Sequence, residues 1–267
     1  MILREHFKNL GSFALNEGDV VYFLDERYTE FYYIKRANQH ELGGIYYATT
    51  GKLVLREGDF DDAFMVDTRE LHYIGEPFLC VQKGEMYGAY SIEDGRQMIP
   101  IRFKQVMKYQ GNLLWVKGMD GKCGVYTDTG KEVLPTKYRA ILQEDRAKKF
   151  LHATCKEDGD AVISKSGKVL LMDEKDGKIN LFNDFYTVQY ADRFRLCNLD
   201  GTIYEGKGKC KYLRNGLFEV KDGKKTTVID LDGNTIVSML GCVRIKKSGE
   251  FLFAEKEDGT VERIFLG

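Results

Sequence analysis

Three prolines, one tryptophan, four histidines and no excess of either charge leave this 267-residue chain without several familiar signatures. With 40 basic against 41 acidic residues and a net charge of −1, it has no global field to hold a nucleic-acid backbone or an anionic membrane surface. No apolar run approaches the roughly 18 residues of a transmembrane helix, so no membrane insertion is expected. The opening MILREHFKNLGSF carries Arg4, Glu5 and Lys8 where a secretory signal needs an unbroken apolar segment. The six cysteines (Cys80, Cys123, Cys155, Cys197, Cys210, Cys242) form no CxxC pair. Reduced, mostly buried thiols in a cytoplasmic protein are the expectation.

Chemistry-bearing motifs are also scarce. No serine lies in GxSxG or SxxK, where a strained turn or a neighbouring base would activate it, and no GxxxxGK[ST] is present to cradle phosphate. His6, His40, His72 and His152 form no HxH or HxxxH pair that would present two nitrogens to one metal. The expectation is no catalytic residue, no cofactor, no metal and no enzyme activity. The Gly-rich EGKGKCKYL, residues 205–213, precedes no helix and reads as a solvated loop.

What the chain does have is aromatics and glycine, with 16 Phe, 16 Tyr and 28 Gly, a composition of strands and turns. One phrase returns seven times: Phe31–Ile34, Phe78–Val81, Leu113–Val116, Phe150–Ala153, Phe185–Val188, Leu217–Val220 and Phe251–Ala254. The steps of 47, 35, 37, 35, 32 and 34 residues mark a repeat architecture. Each phrase is a short apolar run, the pattern of a strand buried on both faces. We denote it strand a. An Asp-Gly turn follows at Gly121, Gly159, Gly223 or Gly259, where positive φ suits a tight hairpin. Strand b comes next, for example Gly124–Thr127 and Thr227–Asp230; after a second glycine comes strand c, twice ending at a proline, Pro100 and Pro135. A weaker strand d, such as Phe103–Met107 or Tyr138–Leu142, precedes the next strand a.

Four antiparallel strands per repeat give an all-β chain, and the spacing matches a seven-bladed β-propeller of four-stranded blades. The last repeat has room for only two strands, Phe251–Ala254 and Val261–Phe265. The N-terminus offers Ser12–Leu15 and Val20–Leu24 ahead of the first strand a, so the termini are expected to share one blade and close a ring. The alternative is an open β-repeat solenoid or twisted sheet array. No linker divides the chain, and 1–267 reads as a single domain.

Residues 121–141, GKCGVYTDTGKEVLPTKYRAI, resemble the bacterial WG-repeat family, whose unit runs approximately GKWGYI, a few polar residues, then GKEVIPPKY. Gly121, Lys122, Gly124, Tyr126, the Gly130–Val133 run, Pro135, Lys137 and Tyr138 carry the match. Residues 86–103, MYGAYSIEDGRQMIPIRF, match more loosely. The tryptophan that names the family is replaced by Cys123, Tyr87 and, in the following repeat, Asp160. The resemblance implies a bacterial interaction module with no shared catalytic residues.

Two regions escape the repeat. The third residue of strand a varies freely: Tyr33, Cys80, Trp115, His152, Thr187, Glu219, Phe253. In a propeller strand a would line the central channel, so Tyr33, Trp115, His152, Glu219 and Phe253 are candidate partner-binding residues. The insertion at residues 56–72 carries Glu57, Asp59, Phe60, Asp61 and Asp62, with Asp67 and Glu70 following; Asp59, Phe60 and Asp61 are further candidates. This acidic stretch has oxygen ligands for calcium but lacks the EF-hand order. Charge is skewed to match, since 13 of the 41 acids but only 8 of the 40 bases fall in residues 1–75.

The function these features favour is a non-enzymatic protein–protein interaction module, monomeric in isolation, that binds a protein partner through one face or through the insertion. The alternatives are a ligand-binding or hydrolytic propeller using Tyr33, His152 and Glu219, and a structural subunit or neutralising partner in a larger bacterial assembly.

Overall fold

The computed structural model describes residues 18–25, 27–35, 42–48, 50–66, 77–109, 111–143 and 148–266. Every regular element among them is a β-strand. Sheet 1 joins β1 (Val20–Asp25), β2 (Tyr28–Lys35), β3 (Leu42–Tyr47) and β4 (Lys52–Leu55). Sheet 2 joins β5 (Asp62–Val66), β6 (Phe78–Lys83), β7 (Met86–Ser91) and β8 (Gln97–Phe103). Sheet 3 joins β9 (Gln105–Lys108), β10 (Leu113–Lys117), β11 (Cys123–Thr127) and β12 (Glu132–Tyr138). Sheet 4 joins β13 (Ala140–Leu142), β14 (Phe150–Thr154), β15 (Asp160–Ser164) and β16 (Val169–Glu174). Sheet 5 joins β17 (Lys178–Leu181), β18 (Tyr186–Gln189), β19 (Arg193–Cys197) and β20 (Thr202–Lys207). Sheet 6 joins β21 (Lys209–Arg214), β22 (Leu217–Asp222), β23 (Lys225–Ile229) and β24 (Thr235–Leu240), and sheet 7 joins β25 (Cys242–Ser248), β26 (Phe251–Lys256) and β27 (Val261–Phe265).

Each sheet is a meander whose spatial order follows the sequence. The fold is all-β, with the sheet inventory of a seven-bladed β-propeller. The chain divides into two compact units: Met1–Ile141 with Ala153–Cys155 and Lys165–Val169, and Leu142–His152 with Lys156–Ser164 and Leu170–Gly267. Sheets 1–3 belong to the first unit, sheets 5–7 to the second, and the strands of sheet 4 are divided between them.

The recurring phrase forms the second strand of every sheet, paired on both sides and stacked between sheets, which is why it is apolar at nearly every position. Leu113, Leu114 and Val116 of β10 are fully buried, as are Phe31, Tyr32 and Ile34 of β2. In the first unit these side chains fill cores between sheets 1 and 2, around Phe31, Ile45, Leu79 and Val81, and between sheets 2 and 3, around Phe78, Ile99, Leu114 and Val116. In the second unit Phe194, Leu196 and Phe218 pack between sheets 5 and 6, and Leu217, Val228, Ile245 and Leu252 between sheets 6 and 7. Burial of each such side chain is worth roughly 1.5–3 kcal/mol, so the repeat stabilises itself by stacking.

The structure corrects several expectations. Strand d opens the sheet of the strand a that follows it, so the first strand of each sheet is the d strand and not strand a. Val20–Leu24 accordingly pairs with β2, with Val21 opposite Ile34, and completes sheet 1 instead of the last sheet. Sheet 7 has three described strands, and Ser12–Leu15 lies outside the described residues. Strand c does not stop at proline: β8 and β12 run through Pro100 and Pro135, with a bulge at each. Both are last in their sheets, and an edge strand tolerates a missing N–H. Residues 205–213 are not a loop either, because β20 and β21 meet there about Gly208. Gly208 has φ +88, and a Cβ on it would lie 1.8 Å from the Lys221 carbonyl oxygen, so this junction admits only glycine.

Candidate functional site

The third residues of strand a sit inside their sheets, and their variation has a local cause. Trp115 lies opposite Val125, which places Cys123 diagonally across the same face. Cys80 lies opposite Ala89 and diagonal to Tyr87, and Thr187 lies opposite Leu196 and diagonal to Phe194. A large ring on one strand thus stands diagonal to a small residue on the other, and which strand carries the ring differs from sheet to sheet. In sheet 4 the same relation is polar: His152 Nε2 lies 2.9 Å from Asp160 Oδ2. Cys123, Tyr87 and Asp160 are the positions at which the WG unit places tryptophan. In sheet 3 the chain's one tryptophan, Trp115, stands on the neighbouring strand.

Among the other candidates, Tyr33 stacks on Tyr22 with ring centroids 5.4 Å apart, and Phe253 lies tilted against Phe251 at 6.5 Å. Phe60 is a core residue, packed with Phe31, Leu79, Val81 and Tyr90. Asp59 accepts the Arg56 amide at 3.3 Å, and Asp61 accepts the Gly84 amide at 2.6 Å and faces Lys83 Nζ at 3.7 Å. Lys83 also donates to the Gly58 carbonyl. Asp61 and Lys83 thus tie the acidic turn to the β6–β7 hairpin, while Asp59 closes the turn on itself. Asp62–Val66, expected as part of an insertion, is strand β5; Asp67 and Glu70 lie outside the described residues, as do His6, His40 and His72.

Trp115 lines one side of a cleft of about 390 Å³ in the first unit. Met107 and Tyr109 from the β9 side, Cys123 and Ile141 complete its apolar wall, with Lys117 and Arg139 also lining it. Met107, opposite the half-buried Trp115 on β9, is 45% exposed. Burial raises the Cys123 thiol pKa against the opposing pull of Lys117, so it is a wall group and not a nucleophile.

A second cleft, of about 420 Å³, lies in the second unit. Its walls come from β17, β18, β21, β22 and β25, on three successive sheets. Lys211 is opposite Glu219 and Lys209 is opposite Lys221 in the β21–β22 register, so one carboxylate and three ammonium groups form a single tile. Lys178 and Arg244 add two more cations. Glu219 is only 4% exposed; Lys221 Nζ stands 3.5 Å from its Oε1 and Lys211 Nζ 4.0 Å from its Oε2. Lys221 donates to the Val243 carbonyl, and Oε1 accepts no hydrogen bond. Cys210 lies in the same wall with its thiol pushed up to about 12 by burial. His152, expected from the sequence to share a site with Glu219, is not among the lining residues.

Among the described residues no group of three His, Cys, Asp or Glu side chains is placed to hold a metal ion. No helix of the described residues is long and apolar enough to cross a membrane. Sequence reasoning names Trp115 and Glu219 but misses Met107 and the basic wall. An exposed Met on a weakly marked strand gives no signal, and the cations come from repeats about 30 residues apart.

No family model matches the chain and no curated protein matches it, so the WG-type resemblance rests on residues 121–141 and 86–103. Solved structures do match. Kluyveromyces lactis Hsv2 is similar at 12% identity over 71% of each chain, with a TM-score of 0.31. The WD40 β-propeller domain of Doa1 is similar at 12% identity over 94% of each chain, with a TM-score of 0.27. No residue role is carried over from either.

Proposed function

We infer that the chain is a non-catalytic protein-interaction module on a WG-like repeat scaffold, and that the Trp115 cleft is where its protein partner docks. The observation that carries this reading is Met107, an exposed apolar side chain beside the chain's one tryptophan, in a cleft that Lys117 and Arg139 also line. Aromatic anchors with Arg at hand are the composition of binding hot spots. A partner that inserts an apolar side chain between flanking acidic residues matches both the wall and the cations. The single-domain organisation of 1–267, a cytoplasmic location and a monomeric state without the partner belong to the same reading.

Met107→Asp is the test, because an exposed edge-strand position tolerates it and a carboxylate there opposes both the apolar anchor and the acidic flank. Affinity capture from the source cell should recover one partner with the parent protein. The variant, with an unchanged far-UV circular dichroism spectrum, should retain that partner at least about tenfold more weakly, as expected for a lost hot spot. An intact protein that captures no specific partner, or a variant that captures it equally well, overturns the reading.

A further inference from the structure

The cleft around Glu219 has a composition that packing does not require. A carboxylate buried to this degree is normally saturated by hydrogen bonds, because an unfilled acceptor away from water forfeits its solvation. Here Oε1 is unfilled and the nearest ammonium, Lys221, is held at 3.5 Å by its own bond to the Val243 carbonyl. Around this one acceptor stand five cations, of which Lys178, Lys209 and Arg244 have no carboxylate partner among the described residues. The site therefore lacks two things at once, an anion for the outer cations and a donor for the inner carboxylate.

We propose that this cleft binds a small anionic polyol, such as a sugar phosphate, with its anionic group among Lys178, Lys209, Lys211 and Arg244 and a hydroxyl donating to Glu219 Oε1. A bare anion satisfies only the outer half of this arrangement and a neutral sugar only the inner half. The volume of about 420 Å³ falls in the range of small-molecule sites. With its thiol pushed up to about 12 by burial, Cys210 contributes a wall to the cleft and no thiolate. This inference is independent of the Trp115 cleft, which lies on other strands in the other unit.

Isothermal titration of the full chain at low ionic strength with inorganic phosphate, glucose 6-phosphate and glucose tests it. Glucose 6-phosphate should bind about tenfold more tightly than phosphate, the size of one charge-assisted hydrogen bond, and glucose should not bind measurably. Lys209→Ala with Lys211→Ala, both at exposed positions, should weaken both anions. Glu219→Gln separates the two halves: removal of the negative charge should leave phosphate binding equal or tighter, while the preference for glucose 6-phosphate shrinks toward unity. Equal affinity of the parent protein for the two anions overturns the proposal. So does phosphate binding unchanged by the lysine substitutions, which would be an adventitious ion only, and so does absence of saturable binding to any probe.

Discussion

Exchanging two residues, Trp115→Cys together with Cys123→Trp, would put the indole where the WG-type unit carries it. The diagonal pairing of these positions makes the energetics unequal to the sum of the parts. Cys123 is buried beside the Arg139 carbonyl, with its sulfur 3.9 Å from that oxygen, on the face it shares with Trp115. An indole added there competes with the ring of Trp115 for the volume they share, and overpacking of this kind costs about 2 kcal/mol. Trp115→Cys alone withdraws a half-buried ring; about 100 Å² of lost apolar burial at ~25 cal/mol per Å² is about 2.5 kcal/mol. Additivity would give about 4.5 kcal/mol for the pair. Because the ring at 123 enters the space vacated at 115, the double variant should lose only about 2 kcal/mol, a coupling of about 2.5 kcal/mol. Urea unfolding followed by far-UV circular dichroism measures all four proteins without relying on the tryptophan that moves. In thermal unfolding the coupling should appear as roughly 5–10 °C of recovered melting temperature. Strict additivity would refute the claim that the two positions share one volume.

Glu174 accepts hydrogen bonds from Tyr190 at 2.7 Å, Arg195 at 2.8 Å and the Gly177 amide at 2.9 Å, fastening sheet 4 to sheet 5 within the second unit, so Glu174→Ala should cost about 3 kcal/mol by leaving Arg195 unpaired. Burial pushes the Glu174 carboxyl up, but these donors outweigh it and its folded pKa is net lowered. Its contribution is therefore whole above the unfolded value near 4.3 and is lost as pH falls through the folded pKa; the stability gap between parent and variant should narrow between pH 6 and pH 3, and a constant gap would refute the assignment. Cys80 and Cys210 have thiols pushed up to about 12, chiefly by burial, which leaves a thiolate fraction of about 10⁻⁴ at pH 8. A disulfide reagent should label neither in the native protein within an hour while reaching all six thiols in guanidinium, and rapid native labelling of Cys210 would show that the cleft wall opens.

Strand a is legible because a strand paired on both sides and stacked between sheets is apolar at nearly every position, as in Leu113, Leu114 and Val116. Its neighbours are harder to assign. The d strands have one free edge and half-exposed faces, so Gln105–Lys108 and Lys209–Arg214 carry mixed sequences whose sheet membership hydropathy does not reveal. That ambiguity is why Val20–Leu24 reads as part of the last blade when it belongs to the first sheet. The prolines mislead for a related reason, since Pro100 and Pro135 lie on edge strands where the missing N–H faces no partner. Phe60 looks like an exposed loop aromatic, but the acidic residues beside it hold the turn that lets the ring enter the core.

The variable third position shows the limit of reading one strand at a time. Taken alone, Tyr33, Cys80, Trp115, His152, Thr187, Glu219 and Phe253 look like a surface free to diverge. Set beside their diagonal neighbours, Cys80 with Tyr87, Trp115 with Cys123, His152 with Asp160 and Thr187 with Phe194 become pairs whose volumes or charges compensate. Glu219 breaks this rule: its diagonal neighbour Thr226 donates its hydroxyl to the Cys242 carbonyl at 3.3 Å and leaves the carboxylate oxygen unfilled. Lys211 and Lys221 of its own sheet stand 4.0 and 3.5 Å from its oxygens, and the preceding and following sheets add Lys178 and Arg244, more cations than one carboxylate balances. That surplus of cations beside an unfilled acceptor is what separates Glu219 from Cys80, Trp115, His152 and Thr187 as a place where the fold holds capacity for a ligand.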